Sequence, residues 1–187
     1  MGRHQEALAE SDKAVELDPL SLINNANTAL LSYFSRSYDQ GIEQGRKTLE
    51  MDPNFVVAYA WLGQTYLQKG AFQEALKEFV RAIELSEGSH FYVAMLGHAY
   101  GVAGQMAEAH KILDQLKEQS KRSYVSSYSI AEVCLGLGDL NQTFEWLEKA
   151  YEERARALAF LKVEPKLDPL RSDPRFQDML RRMNFPS

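Results

Sequence analysis

The stretch WLGQTYLQKGAFQEALKEF, residues 61–79, decides the architecture. Read as one amphipathic helix, it carries two flaws, Gly63 and Gly70. Read as two helices, it carries none. Gly70 is then a stop, because glycine accepts the left-handed conformation that closes a helix C-terminus. Gly63 and Ala75 are small where the two helices cross, and Tyr66, Phe72 and Phe79 fill the space between neighbouring pairs. Recurrence favours this second reading. Displaced by 34 residues, Leu62-Gly63 meets Leu96-Gly97, Tyr66 meets Tyr100, Gly70 meets Gly104 and Ala75 meets Ala109. One more step brings Ala131, Cys134 and Gly138 under Gly63, Tyr66 and Gly70. Helical repeats of this length mark a solenoid.

The recurring Leu-Gly-x-x-Tyr, Ala, Phe/Tyr, Ala and Pro positions resemble the tetratricopeptide repeat. The match is fullest over residues 56–89; Pro19 and Pro53 take the repeat's proline position and Glu87 departs from it. The resemblance extends over nearly the whole chain. It implies an all-α, right-handed solenoid forming a single array: a half repeat (1–21), four full repeats (22–55, 56–89, 90–123, 124–157) and a C-terminal helical cap (158–187). Helices are predicted near 3–17, 21–35, 38–51, 54–69, 72–86, 90–103, 105–119, 124–136 and 139–154. A short helix near 156–162 precedes a Pro-punctuated link, VEPKLDPLRSDP, and a last helix over 174–183. Asp139 and Asp173 are the expected N-caps of the helices they precede. Phe160, Leu161, Leu167, Leu170, Phe176 and Leu180 suit the cap an array needs over its terminal apolar face. This tail also resembles the ending of repeat arrays in larger bacterial signalling proteins. The chain begins at the second helix of a repeat, so a fragment of a longer chain is expected. A monomer is expected, with a homodimer through the incomplete N-terminal repeat as the alternative. Gly41 and Gly45 fall inside a helix, where glycine costs about 0.8–1 kcal/mol against alanine; close packing against Tyr33, Phe34 or a neighbouring helix would explain them.

Composition narrows the chemistry. The 187 residues are 45% hydrophobic and 25% charged, with net charge −5 and a pI near 5.4. Such a balance repels a phosphate backbone, so no nucleic-acid binding is expected through this segment. Cys134 is the sole cysteine, so no disulfide forms within the chain. That suits a reducing compartment, and with neither signal peptide nor long apolar run the expectation is a cytoplasmic protein with no membrane partner. His4, His90, His98 and His110 show no metal-ligand spacing, and no Gly-rich phosphate loop is present. No catalytic residue, metal or cofactor is expected. Cys134 stands in the repeat's Tyr position and reads as a buried small hydrophobe.

What remains is the surface that a solenoid creates. In the family that the chain resembles, the first helix of each pair lines a concave groove. Carried over position by position, the resemblance implies Asn27, Leu30 and Phe34, then Trp61, Gln64, Leu67 and Gln68, then Phe91, Met95 and His98, then Tyr128 and Glu132. Within each helix these share one face. Leu30, Gln64, His98 and Glu132 are equivalent positions 34 apart, and the three polar ones are expected to be exposed, since burying them unpaired would cost roughly 1–3 kcal/mol each. No Lys or Arg occupies these positions, so a carboxylate clamp is not expected. The implied function is protein–protein interaction: an apolar peptide segment or helix, uncharged or mildly basic, held in the groove by the scaffold or regulatory arm of a larger protein. Self-association of the parent is the alternative. Gln64→Arg with His98→Glu is expected to abolish binding and leave the fold nearly unchanged.

Overall fold

The computed structural model describes residues 3–185. The outermost residues of the expected half repeat and cap, 1–2 and 186–187, lie outside them. The described residues form ten α-helices and two 3₁₀ turns. The helices are α1 (His4–Leu17), α2 (Leu22–Phe34), α3 (Tyr38–Met51), α4 (Val56–Gln68), α5 (Phe72–Leu85), α6 (His90–Val102), α7 (Met106–Ser120), α8 (Ser127–Gly136), α9 (Leu140–Glu152) and α10 (Pro174–Arg182). The 3₁₀ turns, Arg156–Phe160 and Pro165–Leu170, lie between α9 and α10.

The helix pairs end as the glycine spacing predicts. Gly70, Gly104 and Gly138 all have positive φ. Beyond each, a backbone N–H returns to a carbonyl five residues earlier: Ala71 to Tyr66 at 3.0 Å, Gln105 to Tyr100 at 2.8 Å and Asp139 to Cys134 at 3.0 Å. This closure satisfies helix carbonyls that would otherwise be orphaned. Asp139 then accepts a hydrogen bond from the Gln142 N–H, and Asp173 from the Arg175 N–H. The equivalent stop after α2 uses Arg36, whose φ is 63°, a conformation that disfavours a non-glycine residue by roughly 1–2 kcal/mol.

First helices α2, α4, α6 and α8 stack along the inner face, and α3, α5, α7 and α9 back them. One core runs through the middle pairs around Leu62, Phe79, Met95, Leu116 and Ile130, and a second joins α8 and α9 to the tail through Leu147, Leu161, Leu170 and Phe176. Cys134 is buried in the first, and burial pushes its thiol pKa up to about 11. Gly41 and Gly45 do sit in close packing, but against Ser32 and Leu62 rather than Tyr33 or Phe34: a Cβ at Gly45 would lie 2.7 Å from Leu62 Cγ.

Two boundaries depart from the sequence reading. α8 starts at Ser127 rather than 124, with Ser126 extended ahead of it. The Pro-punctuated link is not a link. It turns as a 3₁₀ helix over Pro165–Leu170, starting with Pro165 at its first position, and it packs into the inner face.

Candidate functional site

The tail segment after α9 crosses the groove that the first helices make. Leu158, Leu161, Leu167 and Leu170 are all buried, each worth roughly 1.5–3 kcal/mol. Four anchors of that size make the segment part of the core rather than a loosely held flap.

Polar contacts fix its register. The Lys166 ammonium sits 2.5 Å from Glu132 Oε1 and 4.0 Å from Glu164 Oε2. The Tyr33 hydroxyl donates to Glu164. Arg36 donates to both Asp168 carboxylate oxygens, at 2.8 and 2.7 Å, so the left-handed residue that ends α2 is also the tether for the tail. Phe160 stacks on Phe34, with ring centroids 5.2 Å apart and planes 19° from parallel. Burial alone would lower the Lys166 pKa, but Glu132, Glu164 and Tyr128 carry it well above the ordinary ammonium value. Burial raises the Glu164 pKa, against the pull of Lys166 and Tyr33.

The structure therefore corrects the exposure expected for the ladder. Gln64, His98 and Glu132 are 0%, 4% and 3% exposed. They are paired instead of solvated: Gln64 Nε2 donates to Glu132 at 3.5 Å, and His98 Nδ1 lies 3.0 Å from the Glu132 carbonyl oxygen. Phe34, Leu67, Met95 and Tyr128 are buried too. Gln64→Arg with His98→Glu thus alters the core, and is now expected to destabilise the fold rather than spare it, because an unpaired buried charge is costly.

The twelve expected groove residues separate into four places. Phe34, Trp61, Phe91, Met95 and Tyr128 come together around an open cavity of ≈ 440 Å³, completed by Tyr124, Ser126, Ser129 and, from the tail, Arg156, Ala157, Phe160, Glu164 and Lys166. Gln64 and Glu132 lie beneath the tail beside Lys166. Leu67, Gln68 and His98 border a second cleft of ≈ 400 Å³ with Pro165, Asp168 and Pro169, and Lys166 borders both. Asn27 and Leu30 stand apart, in a shallow cleft with Ala7, Ala14 and Leu31 of the N-terminal pair. Sequence reasoning missed Tyr124, Arg156, Phe160 and Lys166. It sought cations only on first helices, whereas the tail brings them.

Burial draws the His98 imidazole pKa down to about 4, against the opposing pull of Glu132, from an ordinary 6.5. A depressed folded-state pKa gives stability that is present above 6.5 and lost as pH falls toward about 4. Wild type should therefore lose its advantage over His98→Gln by about 3 kcal/mol across that window. Denaturant midpoints of the two proteins over pH check this; a constant difference would contradict it.

Among the described residues no group of three or more His, Cys, Asp or Glu could hold a metal ion, and no helix is long and apolar enough to cross a membrane. Comparison with known proteins agrees with the repeat. Residues 45–77 match the tetratricopeptide repeat family model. The chain is 32% identical over 102 residues to a small glutamine-rich tetratricopeptide repeat-containing protein of Dictyostelium discoideum, covering 54% of this chain and 30% of that one. It is 27% identical over 100 residues to human tetratricopeptide repeat protein 13, covering 54% and 12%. The chain thus spans less than a third of the length of these curated relatives. Among solved structures it resembles a thermophilic tetratricopeptide repeat protein of Thermus thermophilus (TM-score 0.66, 20% identity, 84% of this chain and 87% of that one). It also resembles YrrB, described as a tetratricopeptide repeat protein with an unusual peptide-binding site (TM-score 0.53, 20% identity, 91% and 89%). Residues 45–77 thus carry a tetratricopeptide repeat, and the chain as a whole has the helical-solenoid fold of tetratricopeptide repeat proteins.

Proposed function

We propose that this chain is a protein–protein interaction module that takes a short segment of a partner protein into the aromatic cavity of its inner face, as the scaffold or regulatory arm of a larger protein. Tetratricopeptide repeat proteins in general mediate protein–protein contacts, and one structural neighbour, YrrB, is described as having a peptide-binding site. The observation that carries the reading is a run of half-exposed aromatic side chains on a concave surface. Phe91 and Phe160 are 42% and 43% exposed and Tyr124 is 75% exposed, continuous with Trp61 and Met95 at the cavity wall. Aromatic side chains beside an open pocket supply much of the binding energy where proteins meet. The action is preorganised binding, with no bond chemistry assigned to any residue.

The test is a random-peptide selection on wild type, counter-screened with Phe91→Ala/Tyr124→Ala, which changes only exposed rim residues. Enriched peptides should weaken about tenfold or more on the double variant. No enrichment, or enrichment indifferent to the rim, would overturn the reading. Self-association is the second reading, favoured by the exposure of Leu17, Leu20 and Ile23 at the N-terminal pair; a concentration-dependent mass in sedimentation, lost on Leu17→Ser/Leu20→Ser, would support it.

A further inference from the structure

We infer that the cavity selects an acidic segment: a partner peptide with one large apolar side chain and a neighbouring aspartate or glutamate, the carboxylate seated on Arg156 and the Tyr128 hydroxyl. This rests on the proposed function and specifies the chemistry of its partner.

The apolar part follows from the walls, Trp61, Phe91 and Phe160. The acidic part follows from the polar groups beside them. Arg156, exposed at the start of the first 3₁₀ turn, has no ion-pair or hydrogen-bond partner among the described residues. Tyr128 is 6% exposed, lines the cavity, and its hydroxyl makes no hydrogen bond among the described residues. Ser129, buried beside it, likewise has an uncommitted hydroxyl. A guanidinium and two uncommitted hydroxyls at the cavity wall are all able to donate. Hydroxyls with no partner in the protein are free to donate to an incoming acceptor, and a guanidinium favours a carboxylate acceptor.

The cavity's other charges do not cancel this preference. Lys166 and Glu164 both border it but are committed to a buried cluster with Glu132, in which one ammonium faces two carboxylates at 2.5 and 4.0 Å, and the Glu164 carboxylate already accepts from Tyr33. Arg156 is the exposed charge at the mouth, with no partner among the described residues. The chain's net charge of −5 opposes a long-range approach by an acidic partner, so the preference is a short-range one.

Two display libraries of short peptides test it. Both carry a central Leu, Phe or Trp; one is flanked by Asp and Glu, the other by Lys and Arg. Wild type should enrich the acidic library. Arg156→Ala should weaken the selected acidic peptides roughly tenfold, Tyr128→Phe should weaken them by a smaller factor, and Arg156→Glu should reverse the preference toward the basic library. Basic peptides enriched equally on wild type, still lost on Phe91→Ala/Tyr124→Ala but indifferent to Arg156→Glu, would overturn the acidic preference and leave the cavity standing. Enrichment of neither library would overturn both.

Discussion

Lys166→Met is expected to destabilise the chain by about 3–5 kcal/mol. Methionine preserves the length and apolar stem of the side chain, so Leu167 and Leu170 keep their seats, and the change isolates the charge. Lys166, Glu132 and Glu164 have side chains 4%, 1% and 7% exposed. Removing the ammonium leaves two carboxylates buried close together, and the second oxygen of Glu132 has no hydrogen-bond partner to compensate. A pair at the surface would tell another story, with at most about 1 kcal/mol at stake. The pH dependence is a second signature. The Glu164 pKa already stands above its ordinary 4.5 through burial, and losing the cation raises it further. A raised folded-state pKa gives stability that is full below the unfolded value and lost as pH rises through the folded one. The variant's deficit should therefore shrink on acidification, here because the variant gains stability, whereas at His98 it is the wild type that loses it. Adding Glu132→Gln and Glu164→Gln should restore most of the loss, since neutral groups need no counter-charge. Denaturant unfolding of the single and triple variants decides it: a single-variant loss below about 1 kcal/mol would place the cluster in water rather than in the core.

The repeat was legible because each of its signals is local. Gly70, Gly104 and Gly138 stop helices by their own backbone preference, and Asp139 and Asp173 cap helices through neighbours two or three residues away. The residues of the aromatic cavity were legible through the resemblance: the concave-face positions that it implies on successive first helices include Phe34, Trp61, Phe91, Met95 and Tyr128, which line one cavity. What covers that face was not. VEPKLDPLRSDP has neither helical nor strand periodicity, and its partners Tyr33 and Arg36 lie 131 and 132 residues away. Exposure of Gln64, His98 and Glu132 is a property of that distant covering, so their own helix could not disclose it. Two signals in the sequence did point toward it. Arg36 stands where the 34-residue period puts glycine in the next three repeats, a substitution that needs a tertiary contact to offset it. Lys166 stands between Pro165 and Leu167 in a segment whose leucines, Leu161, Leu167 and Leu170, call for an apolar seat, and the ladder that could receive its charge ends in Glu132.

The tight backbone contact of α6 with α8 at two glycines escaped the sequence reading, and it sets the second large effect. Gly136→Ala and Gly101→Ala should each destabilise the chain by about 3 kcal/mol. A Cβ at Gly136 would meet the His98 carbonyl oxygen at 2.4 Å and its Cα at 2.7 Å; one at Gly101 would meet the Gly136 carbonyl at 2.4 Å and the Leu137 nitrogen at 2.8 Å. These neighbours are backbone, which cannot rotate aside as the Leu62 side chain can beside Gly45. Helix propensity argues the other way, favouring Ala over Gly by about 0.8–1 kcal/mol, so the sign of the result separates steric contact from propensity. Gly70→Ala is the control: its Cβ would touch nothing within 4 Å, and only its φ of 74° resists the change, a penalty of roughly 1 kcal/mol. The contact of α6 with α8 also positions the site. It is what lets His98 reach the Glu132 carbonyl on the facing helix, and Met95 and Tyr128 line the cavity from those same two helices. Forcing the helices apart should therefore weaken selected peptides even where the variant stays folded, whereas Gly70→Ala should bind them as wild type does. Melting and binding measured on the same three variants give both readouts, and an increase in stability at Gly136→Ala would show that α6 and α8 do not touch.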